Sequence, residues 1–269
     1  MPRTMRSCRN LRHAGIAAGA LLAALIALIV LAALTASLTG CEDGGSPDPA
    51  DLTRQFEVPY GDPPVPEQTC PCLLSFPDDY SSLRAWPLLV ALHGFAGDGE
   101  SFHAFWQDAA NRNGCLLLTP QGEDLADGGP GWSWGSCAEN VILRAIDGAK
   151  DRARVDPDRI YLLGFSQGGS VTYRLAFAHP RAFRGIAPLA AYFDPEWLPV
   201  GEEALPLANL RVYIGHGTRD YYLDRARAAA DTLSDLGCRV HLEEYEGLGH
   251  QLPAPIEPEL RRIVDFLGS

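Results

Sequence analysis

Residues 159–177 constrain the fold more than any other stretch of this 269-residue chain. Arg159 to Phe165 is a nearly continuous apolar run, as expected of a strand buried on both faces. Val171, Tyr173, Leu175 and Phe177 follow in a helical pattern that stops at His179-Pro180. Gly164-Phe165-Ser166-Gln167-Gly168 joins the two. A chain that passes from strand to helix so abruptly must hold Ser166 in a strained backbone conformation. Gly164 and Gly168 carry no Cβ, so neighbouring backbone can come close. The turn lifts the serine hydroxyl above the sheet edge. The helix N-terminus points at the same spot and favours negative charge developing there. The pentapeptide alone is also compatible with a glycine-rich turn and an incidental serine. Its strand–turn–helix setting, together with the partners described below, marks Ser166 as a candidate nucleophile.

The rest of the chain alternates strands with helices and shows no repeat. Gln55–Pro59 and Cys70–Phe76 read as short strands at one sheet edge. Pro87–His93 and Cys115–Pro120 are continuous apolar strands, and Ser101–Asn111 is a helix between them. Gln121–Ser136 reads as a glycine-rich loop, and Asn140–Arg154 as an amphipathic helix. Strands are also expected at Gly185–Leu189, Arg211–His216 and Val240–Tyr245, with helices at Leu223–Leu236 and Glu257–Leu267. Tyr192–Asn209 is expected to be a loop or a small cap over the site. The fold class is therefore α/β: a doubly wound, mostly parallel sheet flanked by helices.

A serine hydroxyl needs a base to take its proton and an acid to orient that base. Gly247-Leu248-Gly249-His250 follows the last strand, at the carboxyl ends where open α/β sheets bind ligands. His216-Gly217-Thr218-Arg219-Asp220 follows the preceding strand and supplies an acid. Ser166, Asp220 and His250 form the candidate catalytic set. Asp224, one helical turn on, and Asp194, after an earlier strand, are the other acids to consider. The glycine-rich loop His93–Gly99 lacks the Gly-Lys-Ser/Thr of a phosphate-binding loop. Its better reading is half of an oxyanion hole, with one N–H from Phe95 or its neighbour and the other from Gln167. Trp132, Trp134 and Tyr221 are among the aromatic residues expected on loops at this end, and are candidate substrate contacts.

The start of the chain is of another kind. Residues 1–13 are basic, and Ala14–Leu38 is almost wholly apolar, as in a secretory signal. An apolar core of this length could also serve as an uncleaved anchor. Leu38-Thr39-Gly40-Cys41 resembles the lipobox of bacterial lipoproteins, which implies lipidation at Cys41, and multiple acyl chains anchor durably. The expected organisation is a lipoprotein signal over 1–41, a flexible tether over 42–54 and one domain over 55–269. That makes the chain an exported lipoprotein, held at the membrane through its lipid anchor. Net charge is -12. The first forty-one residues hold Arg3, Arg6, Arg9 and Arg12 and no acid, so the remainder carries 18 basic and 34 acidic residues, or -16. Nucleic acid is excluded as a partner on that ground. Five cysteines remain beyond the lipobox: Cys70, Cys72, Cys115, Cys137 and Cys238. An odd number leaves at least one thiol unpaired. A bridge across Cys70-Pro71-Cys72 would be strained, no histidine pair nearby has zinc-ligand spacing, and Cys115 reads as a buried hydrophobe.

The residues from Pro87 to Leu252 resemble the α/β-hydrolase superfamily. The resemblance rests on Leu92-His93-Gly94, Asp156 to Tyr161, Gly164-Phe165-Ser166-Gln167-Gly168-Gly169, His216 to Asp220 and Gly249-His250. It is greatest to secreted esterases of the polyhydroxybutyrate depolymerase and feruloyl esterase group. Gly-Phe-Ser-Gln-Gly-Gly and Gly131-Trp132-Ser133-Trp134 are also similar to the phospholipase/carboxylesterase branch, which includes acyl-protein thioesterases. The resemblance implies a serine esterase acting on a small or oligomeric ester, with no metal or organic cofactor. Tyr221-Tyr222-Leu223 departs from the small apolar and Val-Pro residues common after the acid. A non-catalytic binding protein on the same scaffold is the reading from a different class.

Overall fold

The computed structural model describes residues 53–60, 68–125, 129–133 and 136–269. The leader, Cys41 and most of the tether lie outside the described residues, as does Trp134. Among the described residues an eight-stranded sheet is formed by β1 (Thr53–Tyr60), β2 (Gln68–Ser75), β3 (Trp86–Leu92), β4 (Leu116–Pro120), β7 (Val155–Phe165), β8 (Gly185–Leu189), β9 (Arg211–Gly217) and β10 (Arg239–Tyr245). Their spatial order is β1-β2-β4-β3-β7-β8-β9-β10. Strand β2 runs antiparallel to both β1 and β4, and the other pairings are parallel. The expected edge strands are this antiparallel pair, with β1 outermost.

The apolar runs alternate sides at every residue, as a pleated strand must. Leu88, Val90, Leu92, Leu116, Leu118, Ile160, Leu162, Val212 and Ile214 pack in one core cluster. They meet α2 (Ser136–Lys150), α3 (Gln167–Ala178) and α4 (Leu223–Asp235) through Val141, Ile142, Val171, Leu175, Ala226 and Leu233. Leu89, Ala91, Leu117, Tyr161, Leu163 and Tyr213 face the other way, against α1 (Gly99–Arg112) and α5 (Glu257–Gly268). Trp106, Ala109 and Ala110 of α1 and Leu260, Ile263 and Leu267 of α5 complete that second cluster. Helices on both faces are why the parallel strands show no hydrophobic alternation in sequence.

Two segments differ from expectation. The glycine-rich loop after β4 contains a small antiparallel hairpin, β5 (Glu123–Leu125) and β6 (Gly129–Gly131). Gly129-Pro130-Gly131 carries no strand-like pattern, so tertiary contacts place it. Of Tyr192–Asn209, expected as a loop or a small cap, Tyr192 packs on Tyr222 near His250, whereas Glu202 to Asn209 lie away from the site. The segment forms two 3-10 helices, Pro195–Trp197 and Gly201–Asn209, and crosses from β8 to β9 where a longer α-helix would usually run. Its Leu207 is fully buried, and the Leu207 carbonyl accepts from Cys238 Sγ at 3.1 Å. Glu202, Leu205, Pro206 and Asn209 line a cavity with Asp156–Arg159 and Arg184, at the amino ends of the strands and away from Ser166. Pro206, inside Gly201–Asn209, has no N–H to give to an α-helical ladder, and Pro199 separates the two 3-10 helices.

Candidate active site

The carboxyl ends of β3, β7, β9 and β10 bring the predicted residues together. Ser166 links β7 to α3 at φ 53° and ψ -115°, a left-sided backbone conformation that non-glycine residues rarely adopt. The surroundings hold it there. Its N–H donates to Leu189 O at 2.9 Å, and its carbonyl accepts from Ser170 N at 3.0 Å. The flanking glycines have no room for a side chain. A Cβ on Gly164 would lie 2.3 Å from Gly168 O, and one on Gly168 would lie 2.3 Å from Leu92 O.

His250 Nε2 lies 2.8 Å from Ser166 Oγ, across 84 residues of chain. His250 Nδ1 lies 3.0 Å from Asp220 Oδ2. Asp220 is buried, and its Oδ1 accepts from Tyr222 N at 2.9 Å, so the carboxylate is held on both oxygens. The loops carrying the acid and the histidine are tied together. Arg219 N donates to Leu248 O at 2.8 Å, Thr218 N to Tyr245 O at 3.0 Å, and Gly247 N to Thr218 Oγ1 at 2.8 Å. Gly217 must be glycine for this pairing, because a Cβ there would lie 2.2 Å from Leu248 O. The competing acids are elsewhere. Asp224 is 98% exposed and faces Arg227, while Asp194 caps its own 3-10 turn through Glu196 N.

The loop after β3 carries Phe95, whose side chain is half exposed. The N–H of its neighbour Ala96 is committed to Pro130 O at 2.9 Å, and that of Gly97 to Gly94 O at 3.0 Å. Of this group Phe95 is therefore the candidate donor. Gln167 opens α3, where backbone N–H groups have no intrahelical acceptor. The Gln167 side chain instead clamps a neighbouring loop, with Oε1 accepting from Trp132 N and Nε2 donating to Trp132 O, both at 3.1 Å.

Trp132 corrects the expectation of a substrate contact. Its side chain is fully buried, with Nε1 donating to His93 O at 2.8 Å, so it braces the Phe95 loop from below and presents no surface to a ligand. The next residue, Ser133, donates from both N and Oγ to the buried carboxylate of Glu123. Tyr221 is 69% exposed and stacks on His250, with centroids 4.9 Å apart and planes at 26°. Phe165 packs near the same imidazole at 5.3 Å. A run of ring contacts leads away from it, from Tyr221 to Tyr222, Tyr192 and Trp197. Phe193 instead points into the core. The supporting roles of Glu123, Phe165 and the Gln167 side chain were not legible in the sequence. All three act through contacts distant in sequence, and no local pattern signals them.

The arrangement can do nucleophilic acyl chemistry: a hydroxyl hydrogen-bonded to an imidazole, and the imidazole held by a buried carboxylate. Residues 81–268 match the sequence profile described as phospholipase/carboxylesterase. The chain belongs to that family. It has the α/β-hydrolase fold, and its family is one of esterases. The putative esterase NocK of Nocardia uniformis subsp. tsuyamanensis is 35% identical over 144 residues, covering 47% of this chain and 39% of NocK. Poly(3-hydroxyalkanoate) depolymerase C of Paucimonas lemoignei is 28% identical over 113 residues, covering 39% and 27%. The alignments thus span less than half the length of these relatives. The S-formylglutathione hydrolase FrmB of Staphylococcus aureus is a structural neighbour at TM-score 0.62 and 17% identity. It is covered over 99% of its length by 81% of this chain, a likeness of fold.

Proposed function

We propose that this member of the phospholipase/carboxylesterase family is a serine hydrolase that cleaves neutral carboxylic esters through an acyl-enzyme. The observation that carries the reading is the hydrogen-bonded series Asp220–His250–Ser166, ending on a serine at positive φ. Ser166 Oγ attacks the ester carbonyl carbon and passes its proton to His250 Nε2. The carbonyl oxygen takes up the negative charge beside the N–H groups of Phe95 and Gln167. As the C–O bond to the alcohol breaks, His250 returns the proton to the leaving oxygen. Water then repeats the sequence on the acyl-enzyme, which frees the acid and restores Ser166. Asp220 orients His250 and stabilises its cation.

The substrate class follows from the walls. Tyr221, Tyr222 and Tyr192 offer ring surface beside His250, suited to apolar or planar substrate parts. The acidic domain disfavours anionic substrates. Esters with a short or aromatic acyl part, or hydroxyacid oligomers, fit both. Relatives named as a poly(3-hydroxyalkanoate) depolymerase and as feruloyl esterases point the same way. The lipobox reading puts the enzyme outside the cytoplasm on a lipid anchor. Cys41→Ser is then expected to abolish lipid labelling and leave an unprocessed precursor, and a wild-type chain that starts upstream of Cys41 without acyl groups would contradict it.

The deciding experiment combines a labelled fluorophosphonate with a panel of esters. Wild type should be tagged at Ser166 and should hydrolyse short nitrophenyl esters, methyl ferulate or hydroxybutyrate oligomers. Ser166→Ala and His250→Ala should each lose almost all turnover while remaining folded. A chain that binds such esters without being tagged or turning them over is a binding protein on a hydrolase scaffold. Best activity on long-chain lipid esters would refute the substrate class alone.

A further inference from the structure

His216 lies near the end of β9, is fully buried, and is absent from the mechanism above although it sits directly behind the acid. Its Nε2 accepts a hydrogen bond from Ala191 N at 3.0 Å. A ring nitrogen that accepts carries no proton. Burial pushes the pKa of this imidazole down to about 4, against the pull of the Asp220 charge. The ring is therefore neutral at pH 7, with its one proton on Nδ1. That Nδ1 lies 3.7 Å from Asp220 Oδ2 and has no hydrogen-bond partner among the described residues. Buried polar hydrogens are rarely left unpaired. This one is about half an ångström too far from a carboxylate for a charge-assisted bond. Hydrogen bonds at catalytic sites are often long in the absence of substrate and tighten during the reaction.

The other side of the ring is tied to the serine turn. Ala191 follows Ala190, whose φ is 48° and whose N–H donates to Gly215 O at 2.7 Å. The Ala191 Cβ lies where a Cβ on Gly169 would come within 2.6 Å of it, and Leu189 O receives the Ser166 N–H. His216 thus touches the acid through one nitrogen and the backing of the serine turn through the other. We propose that His216 is a positioning residue, whose Nδ1–H holds the Asp220 carboxylate in line with His250 while Nε2 fixes Ala191 behind Ser166. The assignment rests on the proposed Ser166–His250–Asp220 triad. The titratable groups around Asp220 are His216, His250, Tyr221 and Tyr222, and Arg219 precedes it on the surface. Donation from His216 shares the carboxylate charge and so weakens its hold on the His250 proton. Loss of that donor strengthens the hold, and the acid limb of kcat/KM moves to higher pH.

Two substitutions separate the functions of the ring. His216→Asn keeps a donor near the Nδ1 position and loses the acceptor for Ala191. His216→Gln keeps a group near the Nε2 position and loses the donor toward Asp220. Hydrogen bonds to charged groups suggest that His216→Gln lowers kcat by about tenfold or more, with KM within about twofold and the acid limb shifted upward. His216→Asn should keep the wild-type acid limb, while loss of the acceptor for Ala191 lowers kcat or stability without moving the profile. A His216→Gln variant with the wild-type rate and profile, or a His216→Asn variant whose acid limb shifts as far as that of His216→Gln, overturns the proposal. Ser166→Ala is measured alongside. Turnover or fluorophosphonate tagging that survives in it removes the triad itself, and the proposal with it. If the His216 variants fail to fold, nitrogen-edited NMR of the wild-type histidine rings decides: His216 neutral with its proton on Nδ1 at pH 7 supports the role, and a proton on Nε2 overturns it.

Discussion

Asp220 and Asp224 are four residues apart and chemically alike, yet their surroundings separate them. Asp220 is buried and held by Tyr222 N and His250 Nδ1, whereas Asp224 is exposed and faces Arg227. A carboxylate fixes the tautomer of its histidine only through contact. Asp220→Asn is therefore expected to lower kcat/KM by several orders of magnitude, and Asp224→Asn to leave it near wild type. Steady-state kinetics on one nitrophenyl ester distinguishes the two, and the opposite pattern would move the acid by one helical turn. The same contrast explains Trp132 and Tyr221. Both were expected on the substrate face, but an indole N–H that finds a carbonyl inside goes inside, whereas Tyr221 lies flat on His250 with its other surface open to solvent.

The element that most directly shapes the site is the strand–turn–helix around Ser166. Three backbone segments meet there: the end of β3, the turn itself, and the start of α3. Their approach depends on hydrogens where other residues have a Cβ. Gly168→Ala would place a methyl 2.3 Å from Leu92 O and 2.5 Å from His93 O. Backbone on both sides cannot step aside as a flexible side chain would, so the turn has to open. Overpacking costs about 1–3 kcal/mol in ordinary cores, and this site should lie at or beyond the top of that range. Chemical denaturation should show the loss of stability, with fluorophosphonate tagging reduced in the protein that still folds. Wild-type stability and tagging would mean that the turn is looser than its contacts imply.

For the whole molecule, acid is the informative variable. His103, on α1, and His216, on β9, are both buried, and burial pushes each pKa down from 6.5 to about 4. The unfolded chain takes up these protons near pH 6.5, whereas the folded chain takes them up near 4. Their contribution to stability is therefore fully present above pH 6.5 and is lost progressively as pH falls toward 4. Urea midpoints should fall from pH 7 to pH 5. His103→Gln should show a shallower fall than wild type, because one of the two groups has been removed. Equal slopes in the two proteins would show that His103 titrates normally in the fold.

Periodicity and local motifs carried most of the architecture. The parallel strands and the five α-helices among the described residues were legible because a strand covered on both faces has to be apolar throughout, and an amphipathic helix has to repeat its apolar positions. Gly-x-Ser-x-Gly was legible because its glycines answer a steric need within a few residues of chain, and the paired loops after the last strands pointed to Asp220 and His250 as partners. What only the tertiary structure decided lies in contacts between distant segments. Pro130 occupies the Ala96 amide, Glu123 holds Ser133, Leu207 pins the β8–β9 crossover against the core, and His216 reaches from β9 to Ala191. Each depends on which backbone groups other segments leave unpaired. A hydrogen-bond donor or acceptor has no preferred partner along the chain until the fold has placed its neighbours.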